Sequence, residues 1–512
     1  MAEIGPFGFI GGLNTKAGPY TLAKDQMTSA QNTHVIYGKL EKIAGSNAIN
    51  ASALNSATSI TGLCDWQTAA QSRYLIIVAD TKIYSDLNLG ATPSDITGAA
   101  TITTGANNQH TFASLNNILA ICGGTTPDTP LQWTGSGNVA SLAGSPPVGN
   151  IVATSNNFMF ISGIAATPSR VFWSNVGDPG TWTNTNYVDF RLSDGDIVTA
   201  LVPFNFNLLI FKRRSAGILY TQTTTTSGGV NLGPLTQLPT SIGCAGAQAW
   251  DLLPDGRVIF LSSSAHVYIF DGSSFEDISD PTPPASNIQP NLDALNVGRL
   301  PFAVLRCYSA RNQIWLAVST GANTTNDSIY IFDYNQMTWQ SVIPDRAANV
   351  MATSLDTRST PKHPILILTG NYGGFVYEHD TGNINAENAD GHIDGYGTVS
   401  IPLGGQSTEF VPRSVRSCYE AQTAGQLQLG WGFNGLTDVN QTATLLENQG
   451  GGALDTNFFL DMTTLAGPST LFNVMPIASN ARTYTVQVQY RNQFASQDFT
   501  VHPLLISDEV IA

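Results

Sequence analysis

The chain has 512 residues, 42% of them hydrophobic and only 12% charged, with a formal net charge of −15. With 22 Lys and Arg against 37 Asp and Glu, it is a poor candidate for gripping nucleic-acid phosphates. It contains no run of 18 apolar residues, which excludes a membrane-spanning helix, and its length allows one large repeat architecture or several cores.

The opening MAEIGPFGFIGG has no basic stretch ahead of an apolar one, so a Sec signal is not expected, and the chain reads as made in a cytoplasm. Its glycines lack the preceding strand and the lysine of a phosphate loop, so a flexible extended arm is expected. TLAKDQMTSAQNTHV (21–35) predicts a helix. SNIQPNLDALN (286–296) predicts a short second one, capped by Ser286.

Nearly everything else reads as short strands between Gly, Asn, Pro and Asp turns. One pattern recurs: an apolar strand, a turn, then a strand with aromatics. It is found at 75–85, 118–135, 158–175, 208–222, 258–272, 314–334 and 365–380. These hairpins start roughly 40 to 56 residues apart, the spacing of propeller blades. Runs such as Leu75-Ile76-Ile77-Val78 have no polar face, so they need cover on both sides, which stacked neighbours provide. The expectation is an all-β chain with very little helix, built on a β-propeller of about seven blades over 55–390. A set of β-sandwiches is the alternative; it would alternate more strictly and lack the long period.

The repeat stops near residue 385. NINAENADGHIDGYG (383–397) reads as a polar linker, and longer alternating strands follow. Residues 391–512 are expected to form a separate β-sandwich or platform domain. Residues 1–54, lying outside the repeat, are expected to be an N-terminal arm and helix packed with it.

Chemistry-bearing residues are scattered. Cys64, Cys122, Cys244, Cys307 and Cys418 include no Cys-x-x-Cys pair, so reduced buried thiols are expected. Of His34, His110, His266, His363, His379, His392 and His502, only His379-Asp380 and His392 with Asp390 and Asp394 approach one another in sequence. That group reads as a solvated loop, and ENADGHIDG lacks the order of a calcium loop. FKRRS (211–215) is the sharpest basic cluster; it is expected to be a solvated hairpin turn or a salt bridge to a neighbouring subunit. RVFWSNVGDPGTW (170–182) nearly matches the Asp box of sialidases, with Asp178, Gly180 and Trp182 in place. Val176 stands where that motif has Ser, and one residue is missing before Trp182. The Asp-Pro-Gly is expected to be the turn itself. A glycosidase needs two carboxylates, and no blade marks a pair. Trp66, Trp133 and Trp173 could line a sugar site, but they sit at repeat-equivalent positions that favour packing. No catalytic, cofactor-binding or metal-binding residue is singled out.

Several segments, taken in order, resemble one family: the tail hub or nozzle proteins of short-tailed bacteriophages, including packaged-DNA stabilisation proteins. The opening carries Gly11-Gly12-Leu13-Asn14, Gln26, Ala30-Gln31-Asn32, Gly38-Lys39-Leu40, Lys42 and Gly45. VFWSNVGDPGTW, LLIFKRRSAGIL and GRVIFLSSSAHVYIFDG resemble its propeller blades, and TYTVQVQYRNQFASQDFTVHPLLI its terminal strands. The resemblance implies a non-enzymatic virion protein of the phage tail, assembled in the bacterial cytoplasm. It implies a homo-oligomeric ring, commonly a hexamer, below the portal and its adaptor, with tail fibres or spikes as neighbours. Such a ring retains genomic DNA and passes it during ejection without tight binding, and it carries no cofactor. A carbohydrate-binding or sugar-cleaving propeller is the alternative reading.

Overall fold

The computed structural model describes residues 2–18, 20–90, 92–222, 224–226, 229–344, 346–358, 364–388, 390–402, 410–420, 426–433, 441–446, 470–476, 483–494 and 497–510. His363 lies outside them.

The repeating apolar hairpins become four-stranded antiparallel sheets. Their innermost strands are, in chain order, Ile60–Gln67, His110–Leu115, Ile151–Ser155, Val198–Phe204, Trp250–Leu252, Val304–Tyr308 and Val350–Leu355. Six of the sheets stand alone, and the one that begins at Val304–Tyr308 continues into a ten-stranded sheet. Innermost strands pack against one another around a ring, and Val350–Leu355 closes it on Ile60–Gln67. Between the fourth and fifth sheets the contact is aromatic: Phe204 packs on Phe270 and Phe211 on Phe260. The architecture is a β-propeller.

The second strand of each sheet, the apolar strand that opens each hairpin, is largely buried. Phe158–Ser162 and Gln313–Val318 are buried at every position, so neither has a solvent face. Each large side chain so covered contributes about 1.5–3 kcal/mol, which one hairpin alone cannot gain. The inner turns at Asn116-Asn117 and Asn156-Asn157 have positive φ at both residues, as two-residue hairpins require.

The chain's two ends meet. Ala2–Phe7 pairs with Leu504–Val510, and Lys39–Lys42 pairs with Thr500–Val501. Gln26–Gln31 lies between two neighbours: Gln31 pairs in parallel with Val342 of the sixth propeller sheet, and Met27 pairs antiparallel with Val399. A single sheet thus runs from the propeller into the C-terminal strands. One hydrophobic core spans Phe260 and Trp339 of the propeller, Met27, and Val399, Leu429, Val488 and Ile506.

Four expectations need correction. Residues 21–35 form no helix; they hold the strands Gln26–Gln31 and Thr33–Ile36. Strand partners on both sides outweigh a weak local preference, and Asn32, at φ 50°, breaks the run while donating Nδ2 to the Asp394 carbonyl. The second helix is shorter, Gln289–Asp293, and Ser286 does not cap it. Ser286 Oγ instead donates to the Leu13 carbonyl at 2.6 Å and accepts from the Trp339 N–H. Residues 1–54 are not all outside the repeat, because Ser46–Ala48 is the outer strand of the last propeller sheet, with Tyr377 opposite Ala48. The described strands of 391–512 are not a separate unit, because the ten-stranded sheet and the core join them to the propeller.

Candidate functional site

The ring's axis is where residues from different sheets converge. The innermost strands begin at one face, the end from which Gln109 and Asn349 enter. Gln109 Nε2 donates to the carbonyls of Phe302 (3.0 Å) and Asn349 (2.8 Å), tying the second sheet to the sixth and seventh. Asn349 Nδ2 returns to the carbonyls of Ile60 and Ala106. Gln248, just ahead of the fifth sheet, donates Nε2 to the His110 carbonyl at 2.6 Å. Buried main-chain carbonyls that the ladders leave unused are thereby satisfied across the axis.

Arg306 completes this network. Its guanidinium reaches the carbonyls of Leu305 (2.6 Å), Met351 (3.0 Å) and Gln248 (3.2 Å), and it also meets the Gln248 side-chain oxygen. Burial pulls its pKa below the usual arginine value, against the attraction of Asp251. Burial likewise pushes the Asp251 carboxyl up, against Arg306 and the Cys307 and Leu252 N–H groups. For both groups desolvation outweighs their mutual attraction. Neighbouring Cys64 is pushed up to about 12 by burial, so its thiol stays protonated. Cys244 and Cys307 are likewise pushed up to about 12 by burial, and all five cysteines are free.

Above this network, at the face where the inner strands begin, lies a cavity of about 410 Å³. Its walls come from the second to sixth sheets and include Ile151, Ile164, Ile197, Pro301 and Phe302. Gln109 belongs both to the wall and to the cross-axis bonds, so the cavity is a cup set on a knitted base.

The basic cluster divides. Arg213 lines the cup and is exposed, whereas Lys212 is fully buried. Lys212 Nζ donates to Asp194 Oδ1 at 2.7 Å, Ser169 Oγ and the Arg191 carbonyl. It therefore belongs to a salt bridge within the chain, against the expectation of a wholly solvated turn or a link between subunits. Sequence alone gave no sign of this, since Ser169 and Asp194 come from a neighbouring connection.

The Asp-box segment also differs. The hairpin turn is Val176-Gly177, with Asn175 opposite Asp178, not Asp-Pro-Gly. Asp178 opens the outer strand, and its oxygens accept from the Gly180 N–H (2.9 Å) and Thr181 Oγ1 (2.6 Å). Trp182 Nε1 donates to the Pro179 carbonyl. The carboxylate organises its own bulge.

The histidine group does not converge. His379 is buried, with Nδ1 facing the Arg346 guanidinium at 3.1 Å and Nε2 at 2.7 Å from Thr369 Oγ1. Asp380 accepts from Arg311 and Tyr308, Asp394 from Arg491, and His392 pairs with Asp390. Among the described residues no group of three or more His, Cys, Asp or Glu could hold a metal ion. Trp66 and Trp133 pack on each other at 5.5 Å, and Trp173 is buried.

No protein-family model matches the chain, and no curated protein matches it in sequence. Solved structures similar to it include YCF48 from Cyanidioschyzon merolae, at 9% identity over 66% of this chain and 98% of that one, with a TM-score of 0.37. They also include the Cps50 (Swd1) β-propeller domain of Myceliophteria thermophila, at 10% identity over 66% and 99%, with a TM-score of 0.41. BamB from Moraxella catarrhalis is 10% identical over 69% and 97%, with a TM-score of 0.35.

Proposed function

We propose that this chain is a non-enzymatic structural subunit of a short bacteriophage tail. In this reading a seven-bladed propeller and a terminal-strand platform form one protomer of a hub or nozzle ring in the virion. The observation that carries it is where the family-like opening residues sit. Asn14 Nδ2 donates to Gln26 Oε1, and Gln31 and Asn32 both donate to the Asp394 carbonyl. Lys42 is buried and donates Nζ to Asn492 Oδ1 and the carbonyls of Phe494 and Gln497. A side chain at Gly12 would meet the Trp339 carbonyl, and one at Gly45 the Ile384 carbonyl. These residues lock the propeller to the terminal strands in one fixed relation, which suits a ring that must transmit geometry rather than catalyse.

The closed axis supports a particular route for DNA. Gln109, Gln248 and Arg306 bridge the propeller's own axis, so a duplex passes along the axis of the assembled ring, outside each propeller. The ring docks on the adaptor below the portal and carries fibres or spikes as neighbours. The test is sedimentation velocity with negative-stain imaging of the full chain, alone and with its portal-side adaptor. A ring, most simply sixfold, is expected in at least one condition. A monomer in both overturns the reading.

A further inference from the structure

The cup at the propeller face has features that a structural ring does not require. Its walls are mainly aliphatic and prolyl, and none of the described residues that line it is acidic. That is unusual in a chain where acidic side chains outnumber basic ones 37 to 22. Its volume, about 410 Å³, lies within the range of small-ligand sites.

Two guanidinium groups attend it. Arg213 lines the wall from the fourth sheet and is exposed to solvent. Arg299 stands behind the wall that Phe302 and Asn107 form, 7% exposed, stacked 4.5 Å over the Phe302 ring and hydrogen-bonded through Nη1 to Asn107 Oδ1. Phe302 and Asn107 both line the cup. Arg299 Nε has no hydrogen-bond partner, its guanidinium has the Tyr372 hydroxyl as a neighbour, and no carboxylate pairs with this buried cation among the described residues. A buried charge without a counter-charge is costly, and an anion seated in the cup would offset it.

We propose that the cup binds an apolar molecule bearing a single carboxylate, with its body on Ile151, Ile164, Ile197 and Phe302 and its carboxylate between Arg213 and the wall that Arg299 backs. The walls select the apolar body. Gln109, Thr125, Asn150 and Thr199 already spend side-chain donors on protein acceptors, which leaves few for a phosphate, a group that takes several at once. The same chemistry is offered by a free small acid or by the C-terminal carboxylate of an apolar peptide.

Isothermal titration of the full-length protein distinguishes these. In one arm the probes are octanoate and octanol; in the other, acetyl-Ala-Val-Ile as free acid and as amide. The expected result is at least tenfold tighter binding of the carboxylate member in one arm, and that arm identifies the source. Arg213→Gln is expected to erase the preference, and Ala165→Trp, which fills the exposed lip of the cup, to abolish binding. Circular dichroism and melting temperature establish that both variants fold. Equal binding of acid and neutral probe in both arms overturns the proposal. So does binding that survives Ala165→Trp in a folded protein. Neither readout depends on ring assembly.

Discussion

Gln248 Nε2 donates to the His110 carbonyl oxygen at 2.6 Å, although Gln248 leads into the fifth sheet of the ring and His110 opens the second. That bond spans the propeller's axis. Together with Gln109 and Arg306 it turns the centre, often an open channel in propellers, into a closed polar network. Such a network is stabilising only while every member is satisfied.

Replacing Gln248 with Ala therefore strands two buried groups, the His110 carbonyl and one arm of Arg306. A loss of about 1–3 kcal/mol is expected for leaving buried polar groups unpaired. Urea denaturation measures it. An unchanged midpoint would mean that the axis is wet and the network dispensable.

Acid should unfold the ring through His110. Burial pulls its pKa down to about 4, and its Nδ1 has no hydrogen-bond partner. In the unfolded chain the same group takes up a proton near 6.5. Between these values the unfolded state binds more protons, so stability is fully present above about pH 6.5 and is lost as pH falls toward 4. The loss from this group is about 3 kcal/mol across that window. His110→Gln should flatten the dependence of stability on pH between 6.5 and 4 without abolishing it. His379, also buried and also held well below the usual imidazole value, supplies a second component. Equal slopes for the variant and the parent would remove His110 from the account.

Phe206 is a local misfit. It occupies the second position of the turn Asn205-Phe206 at φ 60°, and it is 83% exposed. The equivalent turns of the two preceding sheets hold Asn at both positions. A bulky side chain at positive φ is strained, whereas Asn tolerates the left-handed region. The contact made by this residue's backbone, its carbonyl accepting from Thr221 Oγ1, does not need the ring. Phe206→Asn should raise stability by about 1 kcal/mol, read as a higher melting temperature. A lower melting temperature would show that the phenyl ring packs in solution.

The propeller was legible because its signal is periodic: apolar runs like Ile76-Ile77-Val78 recur and cannot be covered except by neighbours. The terminal strands were less legible. Gln26–Gln31 looks helical in isolation because Ala23, Met27 and Ala30 fall at helical spacing; only partners hundreds of residues away, Val342 and Val399, make it a strand. Ser46–Ala48 carries no apolar run, so its place in the last sheet follows from pairing with Val376–His379 alone. The axial network was invisible for a similar reason. Gln109, Gln248 and Arg306 are ordinary polar residues in sequence, and what marks them is convergence from different sheets. FKRRS was visible as charge, yet the buried partner of Lys212 lies in a neighbouring connection.

Duplex DNA should bind the isolated protein weakly. Its net charge is −15, and several basic groups that might have gripped phosphate are already engaged. Lys212 is buried against Asp194, Arg170 pairs with Asp189, Arg311 with Asp380, and Arg491 with Asp394. Arg306 is enclosed by carbonyls at the axis. Few cations remain to release counterions from the duplex, and that release supplies most non-specific affinity. In the proposed ring, the same charge would surround a passing duplex with a repelling field that keeps it centred and free to slide. The measurement is fluorescence anisotropy with a labelled duplex at about 0.15 M salt, where non-specific binders show dissociation constants of roughly 10⁻⁴ to 10⁻⁶ M. Affinity at or weaker than the upper end of that range is expected, with a shallow salt dependence. Submicromolar binding that weakens steeply with salt would instead assign the protein a DNA-gripping surface, with Arg213 and Arg214 the first residues to replace.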